Sequence, residues 1–503
     1  MHLINLGHEL RYEVECAAML FFPGERLITT DDPGMKAEGD YILTSLREEN
    51  DRCELYCEVS IGGKTANVSR SFGEEIADKH DECERLFAYM MAELLTPITG
   101  IEPGWGILTG VRPVKLFHRR LDRGMSPAET AEEFRSRFRV SERKIDLALR
   151  TAALEGPIIK ETNWNEYSLY VSIPFCPSRC HYCSFVSQSI SSKRALAMIP
   201  QYVVLLCEEI KRCGEIMRES GMKLSTVYFG GGTPTTLDAE QLDAVLTAVD
   251  ENFPMELCKE YTVEAGRPDT ITRAKLEVLK KHRVGRISIN PQTMNDDVLK
   301  GVGRKHTAQD VIDSYHLARE VGFDCINMDL IAGLPGDTVE SFEHTIEQLI
   351  ALQPENITVH TLSIKRSADY GEDTATAREN AQSVEAMVEY AQRRLLDEGW
   401  DPYYLYKQRN TLGNLENVGY TKPGHESRYN IYIMDETHSI ISCGGGGMTK
   451  LIDKTTGNLS RVANYKYPFE YVDHFDEILR RKEKVRDFFE KHRSPALRKN
   501  SER

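Results

Sequence analysis

Between about residues 165 and 365 the chain alternates short β-branched runs with amphipathic stretches of helical length. The runs are Leu169–Ile173, Thr226–Phe229, Tyr261–Glu264, Arg286–Ile289, Ile326–Ile331 and Ile357–Ile364. Helices are predicted near 198–219, 238–250, 270–282, 307–321 and 338–352. A strand, a helix and a further strand repeated in this way imply a parallel sheet with right-handed crossovers. Six such units make most, but not all, of a TIM-like (β/α) barrel. The fold class is therefore α/β, with an incomplete (β/α)6 barrel over residues 161–365.

The flanks have a different texture. Residues 1–160 read as an N-terminal α+β domain: strands at Arg11–Phe22 and Arg52–Gly62, a helix over Gly73–Leu95, and two helices within Ser126–Glu155. Ser126 with Glu129 has the spacing of a capping box. Cys53 and Cys57, four apart, fall on one face of a strand and read as small core residues. Residues 366–470 read as a C-terminal α+β domain, with a helix over Ala381–Gly399 and then a Gly-, Asn- and aromatic-rich region. Residues 471–503 read as a charged helix and a frayed tail. From Asp473 onward ten Lys and Arg stand against seven Asp and Glu, the signature of a solvated face.

Charge and hydropathy narrow the function. The net charge of −15 argues against a broad nucleic-acid face, which needs clustered Lys and Arg. No run reaches the ~18 apolar residues of a membrane span. The start, Met1–Asn5, lacks a basic segment and is soon followed by Glu9, Glu13 and Glu15, unlike a signal peptide. A cytoplasmic location is expected, in which the 12 cysteines stay reduced and serve packing, metal binding or redox chemistry.

The chemistry concentrates after the first barrel strand, at Cys176-Pro-Ser-Arg-Cys180-His-Tyr-Cys183. Structural zinc usually takes four ligands in two pairs, and no second pair follows at that distance. Three thiols on an iron–sulfur cluster would leave one iron open to a ligand. Other polar residues fall at or just past the ends of successive strands: Tyr228-Phe-Gly230-Gly231-Gly232-Thr233, Glu264, Asn290-Pro-Gln292, and Asp329. That rim is where barrel active sites form. Three glycines in a row let a ligand lie against backbone N–H and C=O. A Glu ending a buried strand needs a partner, such as a ligand amine or ribose.

Tyr170-Val-Ser-Ile-Pro-Phe-Cys176-x3-Cys180-x-Tyr-Cys183 resembles the cluster motif of radical S-adenosylmethionine (SAM) enzymes. More narrowly, the chain resembles the oxygen-independent coproporphyrinogen III oxidase (dehydrogenase) family. The likeness extends to Gly230–Thr235, Ser288–Asn295, Gly303-Arg304, Asp329–Pro335 and Pro423–Asn430. The first 160 residues and Ser288–Asn295 are most similar to its long HemZ-type branch.

The resemblance implies a radical SAM barrel in which Cys176, Cys180 and Cys183 hold a [4Fe–4S] cluster whose fourth iron chelates SAM. It implies that Tyr170, Gly231 and Glu264 contact that SAM. Tyr182, Gly232, Thr233, Gln292, Arg304 and Asp329 match positions contacting a second SAM. The implied reaction is oxidative decarboxylation of coproporphyrinogen III to protoporphyrinogen IX, with a flavodoxin or ferredoxin as electron donor. Phe185 stands where the family's oxidases have a further Cys, and Ser172 where they have His. A haem-chaperone branch carries H-N-x-x-Y-W where this chain has Tyr429-Asn-Ile-Tyr-Ile-Met434. The alternatives on this scaffold are a haem-binding chaperone-like protein and a radical SAM enzyme for another tetrapyrrole.

Overall fold

A computed structural model describes residues 1–22, 25–49, 52–73, 78–363, 381–408 and 411–492. The chain divides into two compact units. The first comprises Met1–Ala152, Asp373–Gln382 and Leu405–Glu416; the second comprises Ala153–Glu372, Ser383–Tyr404 and Asn417–Arg503.

The first unit is built on five strands, β1 (His2–Leu6), β2 (Ile28–Thr30), β3 (Tyr41–Glu49), β4 (Arg52–Ile61) and β5 (Lys64–Gly73), in the order β2-β1-β3-β4-β5. Two helices, α1 (Arg11–Ala18) and α2 (Lys79–Thr99), cover one face of this sheet. Arg11–Phe22, expected as a strand, is therefore helix over most of its length. Its apolar residues follow the helical interval, with Val14, Ala17 and Ala18 buried at i, i+3 and i+4, one turn apart. The helix expected from Gly73 starts later, because Gly73 ends β5 and the Asp78 side chain caps the Asp81 amide. Cys53 and Cys57 lie fully buried in the shared core beside Phe87 and Met91. Three further helices follow, α3 (Pro113–Leu121), α4 (Pro127–Phe138) and α5 (Glu142–Lys160), and the Ser126–Glu129 capping box forms.

Inside this unit Lys144 and Glu416 make an ion pair at 2.5 Å with both side chains sequestered from water, 2% and 0% exposed. The Trp105 indole N–H donates to the same carboxylate at 2.7 Å. Burial alone would raise the Glu416 carboxyl, but the Lys144 charge and these hydrogen bonds hold it below its ordinary range.

The second unit carries the barrel. Its parallel strands are β6 (Glu166–Ile173), β9 (Lys223–Gly231), β10 (Glu260–Glu264), β11 (Arg286–Ser288), β12 (Cys325–Ala332) and β13 (Asn356–Thr361), hydrogen-bonded in that order. The short strands β7 (Phe175–Cys176) and β8 (Gln188–Ser189) pair with each other after β6. Crossovers run through α6 (Lys193–Glu219), α7 (Ala239–Asn252), α8 (Arg273–Lys281), α9 (Asp296–Gly301) with α10 (Ala308–Val321), and α11 (Val339–Leu352). The six expected strands thus stand in the expected order. The tail of the sixth run, at Ile364, lies outside the described residues.

The C-terminal residues extend this sheet at both edges. After α12 (Ala381–Asp397), β14 (Asp401–Lys407) and β15 (Glu416–Thr421) add at the β13 side, with β15 antiparallel to β13. Beyond α13 (Arg428–Asp435), β16 (Ser439–Cys443) adds in parallel to β6. The hairpin β17 (Met448–Ile452) and β18 (Leu459–Ala463) follows, and the eleven-stranded sheet stays open. Two helices end the described chain, α14 (Pro468–Asp473) and α15 (Phe475–Lys491). The α15 helix, expected to be a solvated face, instead buries Phe475, Ile478, Lys482, Val485 and Phe489. Among the described residues no helix is long and apolar enough to cross a membrane.

Candidate active site

Cys176 sits on β7, directly past the end of β6, and the β7–β8 pairing closes the segment that carries Cys180 and Cys183 into a loop. Backbone bonds fix the loop to the glycine turn after β9. Gly232 N–H donates to Ile173 O at 2.9 Å and Thr233 N–H to Phe175 O at 2.8 Å. On its other side His181 N–H donates to Val302 O at 3.1 Å, and Ser178 Oγ donates to Gly303 O at 3.3 Å.

Each thiol faces donors. Thr233 Oγ1 donates to Cys176 Sγ at 3.5 Å. The Phe185 amide bonds the Cys183 sulfur. Arg267, buried and paired with Asp269 at 2.9 Å, donates to Cys180 Sγ at 3.6 Å. Burial pushes the Cys183 thiol up to about 11, and raises Cys176 as well. At Cys176 and Cys183, donors aimed at thiols that burial favours in the protonated form are the setting in which an iron or zinc ion would take the thiolate form.

Among the described residues, the triads of possible ligand atoms lying within 4.8 Å of one another are Glu209/Cys213/Cys443 and His80/Asp81/Glu84. The thiols of Cys176, Cys180 and Cys183 do not all lie within that distance of one another.

The glycine turn makes room beside them. A Cβ on Gly232 would lie 2.6 Å from Phe175 O and 3.0 Å from Cys176 Sγ. Gly231 has φ +105°, and a Cβ there would lie 2.8 Å from Ser172 Oγ. On Gly230 it would lie 3.1 Å from the Tyr170 hydroxyl and 3.2 Å from the Glu264 carboxyl. Residues with side chains cannot follow this path.

Glu264, ending β10, accepts from the Tyr228 hydroxyl at 2.7 Å. Burial pushes its carboxyl up to about 7 against that hydrogen bond, and the charge of Asp329 adds to the rise. The Tyr228 ring stacks on Tyr429 with centroids 4.4 Å apart, and Tyr170 lies parallel at 6.2 Å from Tyr228. Asp329, on β12, is shifted the other way. Burial would raise it, but His360, Asn327 and Thr358 together hold it below the usual carboxylate range. Two carboxyls in one site are thus pushed apart.

Gln292 follows β11 with φ +68°, an uncommon conformation for a residue with a side chain. Its amide N–H donates to Asp329 O at 2.9 Å, and its side-chain oxygen is buried with no protein donor. Arg304 donates to the Tyr182 hydroxyl at 3.1 Å and to Asn290 O at 2.5 Å. The twelve sequence-expected residues lie on the barrel strands or in the segments that follow them, with Tyr170 and Asp329 inside β6 and β12. They fall into joined groups: the cysteine loop with Gly231, Gly232 and Thr233; Tyr182 with Arg304; Tyr170 beside Glu264; and Gln292 with Asp329. An opening of about 630 Å³ lies elsewhere, where Glu260, Arg286 and Cys325 begin their strands.

Three features have contacts that the sequence reading did not assign. Arg267 is one; its place three residues past Glu264 was the available signal. Tyr228 and Tyr429 are another, since ring stacking between distant segments leaves no local pattern. The third is the Gly444–Gly447 turn. Ser172 Oγ donates to Gly445 O at 2.7 Å, and the Tyr202 hydroxyl bonds both Ser172 O and Gly445 N. Behind the turn, Glu209 accepts from Gly444 N, Asn464 and Tyr471, each at 2.7 Å, and pairs with Lys482 at 2.9 Å.

Residues 170–349 match the family model described as the Radical SAM superfamily. The chain is 38% identical over 466 residues to the oxygen-independent coproporphyrinogen-III oxidase-like protein HemZ of Bacillus subtilis, covering 91% of this chain and 93% of that one. It is 37% identical over 199 residues to the heme chaperone HemW of Bacillus subtilis, covering 39% of this chain and 51% of that one. Among solved structures, coproporphyrinogen III oxidase (HemN) from Escherichia coli matches with a TM-score of 0.50 and 22% identity. That match covers 64% of this chain and 72% of the other, a likeness of fold.

Proposed function

The chain belongs to the radical SAM superfamily and, within it, to the oxygen-independent coproporphyrinogen-III oxidase-like family, and we propose on that premise that it oxidatively decarboxylates coproporphyrinogen III to protoporphyrinogen IX without oxygen. Membership implies a [4Fe–4S] cluster and SAM. When bound, they would supply radical chemistry able to take a hydrogen atom from a substrate propionate, a C–H cleavage that side chains cannot perform.

The residues divide the remaining work. Cys176, Cys180 and Cys183 would hold the cluster, and Arg267, Thr233 and the Phe185 amide would stabilise its sulfurs. Gly231 and Gly232 leave the backbone bare for the cofactor. Glu264 would accept from its amine and Tyr170 would border it. Asp329, kept ionised, Gln292, with its free oxygen, and Arg304, Tyr182 and Thr233 would serve a second SAM.

The observation that carries this reading is the junction of the thiol loop with the Gly230–Gly232 turn, where even a methyl group would meet Cys176 Sγ at 3.0 Å. One feature speaks for turnover rather than haem carriage. At the chaperone-motif position, where the resemblance expects His, this chain has Tyr429, a buried ring stacked on Tyr228 at 4.4 Å.

The test is anaerobic turnover of protein reconstituted with iron and sulfide, reduced, and given SAM and coproporphyrinogen III, with Cys180→Ala as control. Tricarboxylic and dicarboxylic porphyrin products are expected from the intact protein alone. Formation of 5′-deoxyadenosine with untouched porphyrinogen would reassign the substrate. Haem binding without turnover would favour the chaperone role.

A further inference from the structure

We propose that the ion pair Arg267–Asp269 sets the reduction potential of the cluster through Cys180, with Arg267 as a positioning residue that makes the cluster easier to reduce. This rests on the cluster reading above and goes beyond the holding of its sulfurs.

The first observation is that the guanidinium of Arg267 is fixed on every side. Its side chain is 3% exposed. A guanidinium carries five N–H groups in one plane, and here each has an acceptor. Nε and Nη2 donate to the two oxygens of Asp269, both at 2.9 Å. Nη2 also donates to Ser178 Oγ at 3.1 Å, and Nη1 to Ser178 O at 3.4 Å. The remaining N–H, on Nη1, donates to Cys180 Sγ at 3.6 Å. Bonds to its neighbours therefore aim the fork at the thiol.

The second observation is that the charged donors converge on this sulfur. Cys176 receives the neutral hydroxyls of Thr233 and Ser187, and Cys183 the neutral Phe185 amide. Cys180 receives Arg267 and also the buried guanidinium of Arg304. It is 8% exposed, so little water stands by to screen these charges.

The sign follows from Coulomb's law. Reduction moves one electron from an external one-electron reductant to the cluster, and no bond forms or breaks. A cation beside a cluster sulfur favours the form with the added negative charge, so Arg267 raises the potential. Asp269 opposes it, but from the Nε edge of the fork and 23% exposed, where water weakens its field. The two side chains pull the potential in opposite directions. A pair that only clamped the loop through Ser178 would do neither.

The test is a redox titration of the full chain, reconstituted anaerobically with iron and sulfide, poised with dithionite and mediator dyes, and read by electron paramagnetic resonance. Iron content per chain is measured alongside and reports assembly separately. The variants are Arg267→Gln, Asp269→Asn and Ser178→Ala. Arg267→Gln is expected to hold the added electron about tenfold more weakly, a fall of about 59 mV for a one-electron couple. Asp269→Asn leaves the cation without its counter-charge and should move the potential upward. Ser178→Ala removes a clamp bond and keeps the bond to the thiol, so its potential should stay with that of the unmodified protein. Opposite shifts at equal iron content carry the proposal. Equal potentials in Arg267→Gln and Asp269→Asn would overturn it, and so would a fall in both, the mark of a loop clamp. Should Arg267→Gln take up no iron, Asp269→Asn decides alone: an upward shift supports the proposal and an unchanged potential ends it. An unmodified protein that takes up iron without a four-iron signal would sink the cluster reading itself, and this inference with it.

Discussion

At Glu264 a single carboxyl joins structure to binding. Its value near 7 comes from burial, so in the empty site it changes charge close to neutrality. A ligand amine donates to the ionised form, so binding of SAM should weaken as pH falls below about 7. The loss should approach tenfold per pH unit, the limit for one proton. Calorimetric titrations at pH 6, 7 and 8 check this, and Glu264→Gln should bind more weakly with a shallower slope. Gly232→Ala tests the turn. Its Cβ would press on Phe175 O at 2.6 Å and on Cys176 Sγ, so cluster content by iron analysis should fall sharply while far-ultraviolet circular dichroism is retained. Gly231 and Glu264 were legible as positions because each ends a strand whose apolar run marks its limit, whereas Tyr170 and Tyr182 came from the family resemblance alone. Arg267, Tyr228 and Tyr429 were not legible, because their partners are chosen by packing across distant segments.

Among the elements, the six parallel strands were legible because buried parallel strands read as continuous apolar runs flanked by amphipathic helices. The additions at both edges were not. Whether β16 joins β6 in parallel is decided by its approach, and nothing in Ser439–Cys443 encodes a neighbour. Nor was α1 legible, since an eight-residue helix carries too few turns to separate its period from a strand's. The buried face of α15 explains why a charged helix is not simply solvated. Lys482 Nζ reaches Glu209 at 2.9 Å and also donates to Ser442 O at 2.5 Å, holding the strand that leads into the Gly444–Gly447 turn. Lys482→Met leaves a buried carboxylate without its cation and should cost about 3–5 kcal/mol. Urea unfolding measures that loss, and Glu209→Gln in the same chain should restore much of it. The glycine turn contacts Ser172, so the single variant should also disturb the cluster's spectrum.

For the whole molecule, the telling fact is that the first unit is not a contiguous piece of chain. Its core needs Glu416, which serves Lys144 and Trp105 from 272 and 311 residues away. A fragment ending at Ala152 should therefore carry a buried lysine without its counter-charge. It should unfold at a urea concentration well below the first-unit transition of the full chain, and Lys144→Met within the fragment should stabilise it. In the full chain the same substitution should destabilise by about 3–5 kcal/mol, because it strands Glu416 instead. The opposite signs are the check. The pairing also has a consequence in time. Ribosomes add about 5–20 residues per second. The amino-terminal sheet consequently emerges tens of seconds before the residue that completes its core is made. During that interval the barrel is synthesised beside an unfinished neighbour, so chaperone demand should peak while the middle of the protein, rather than its beginning, is being translated.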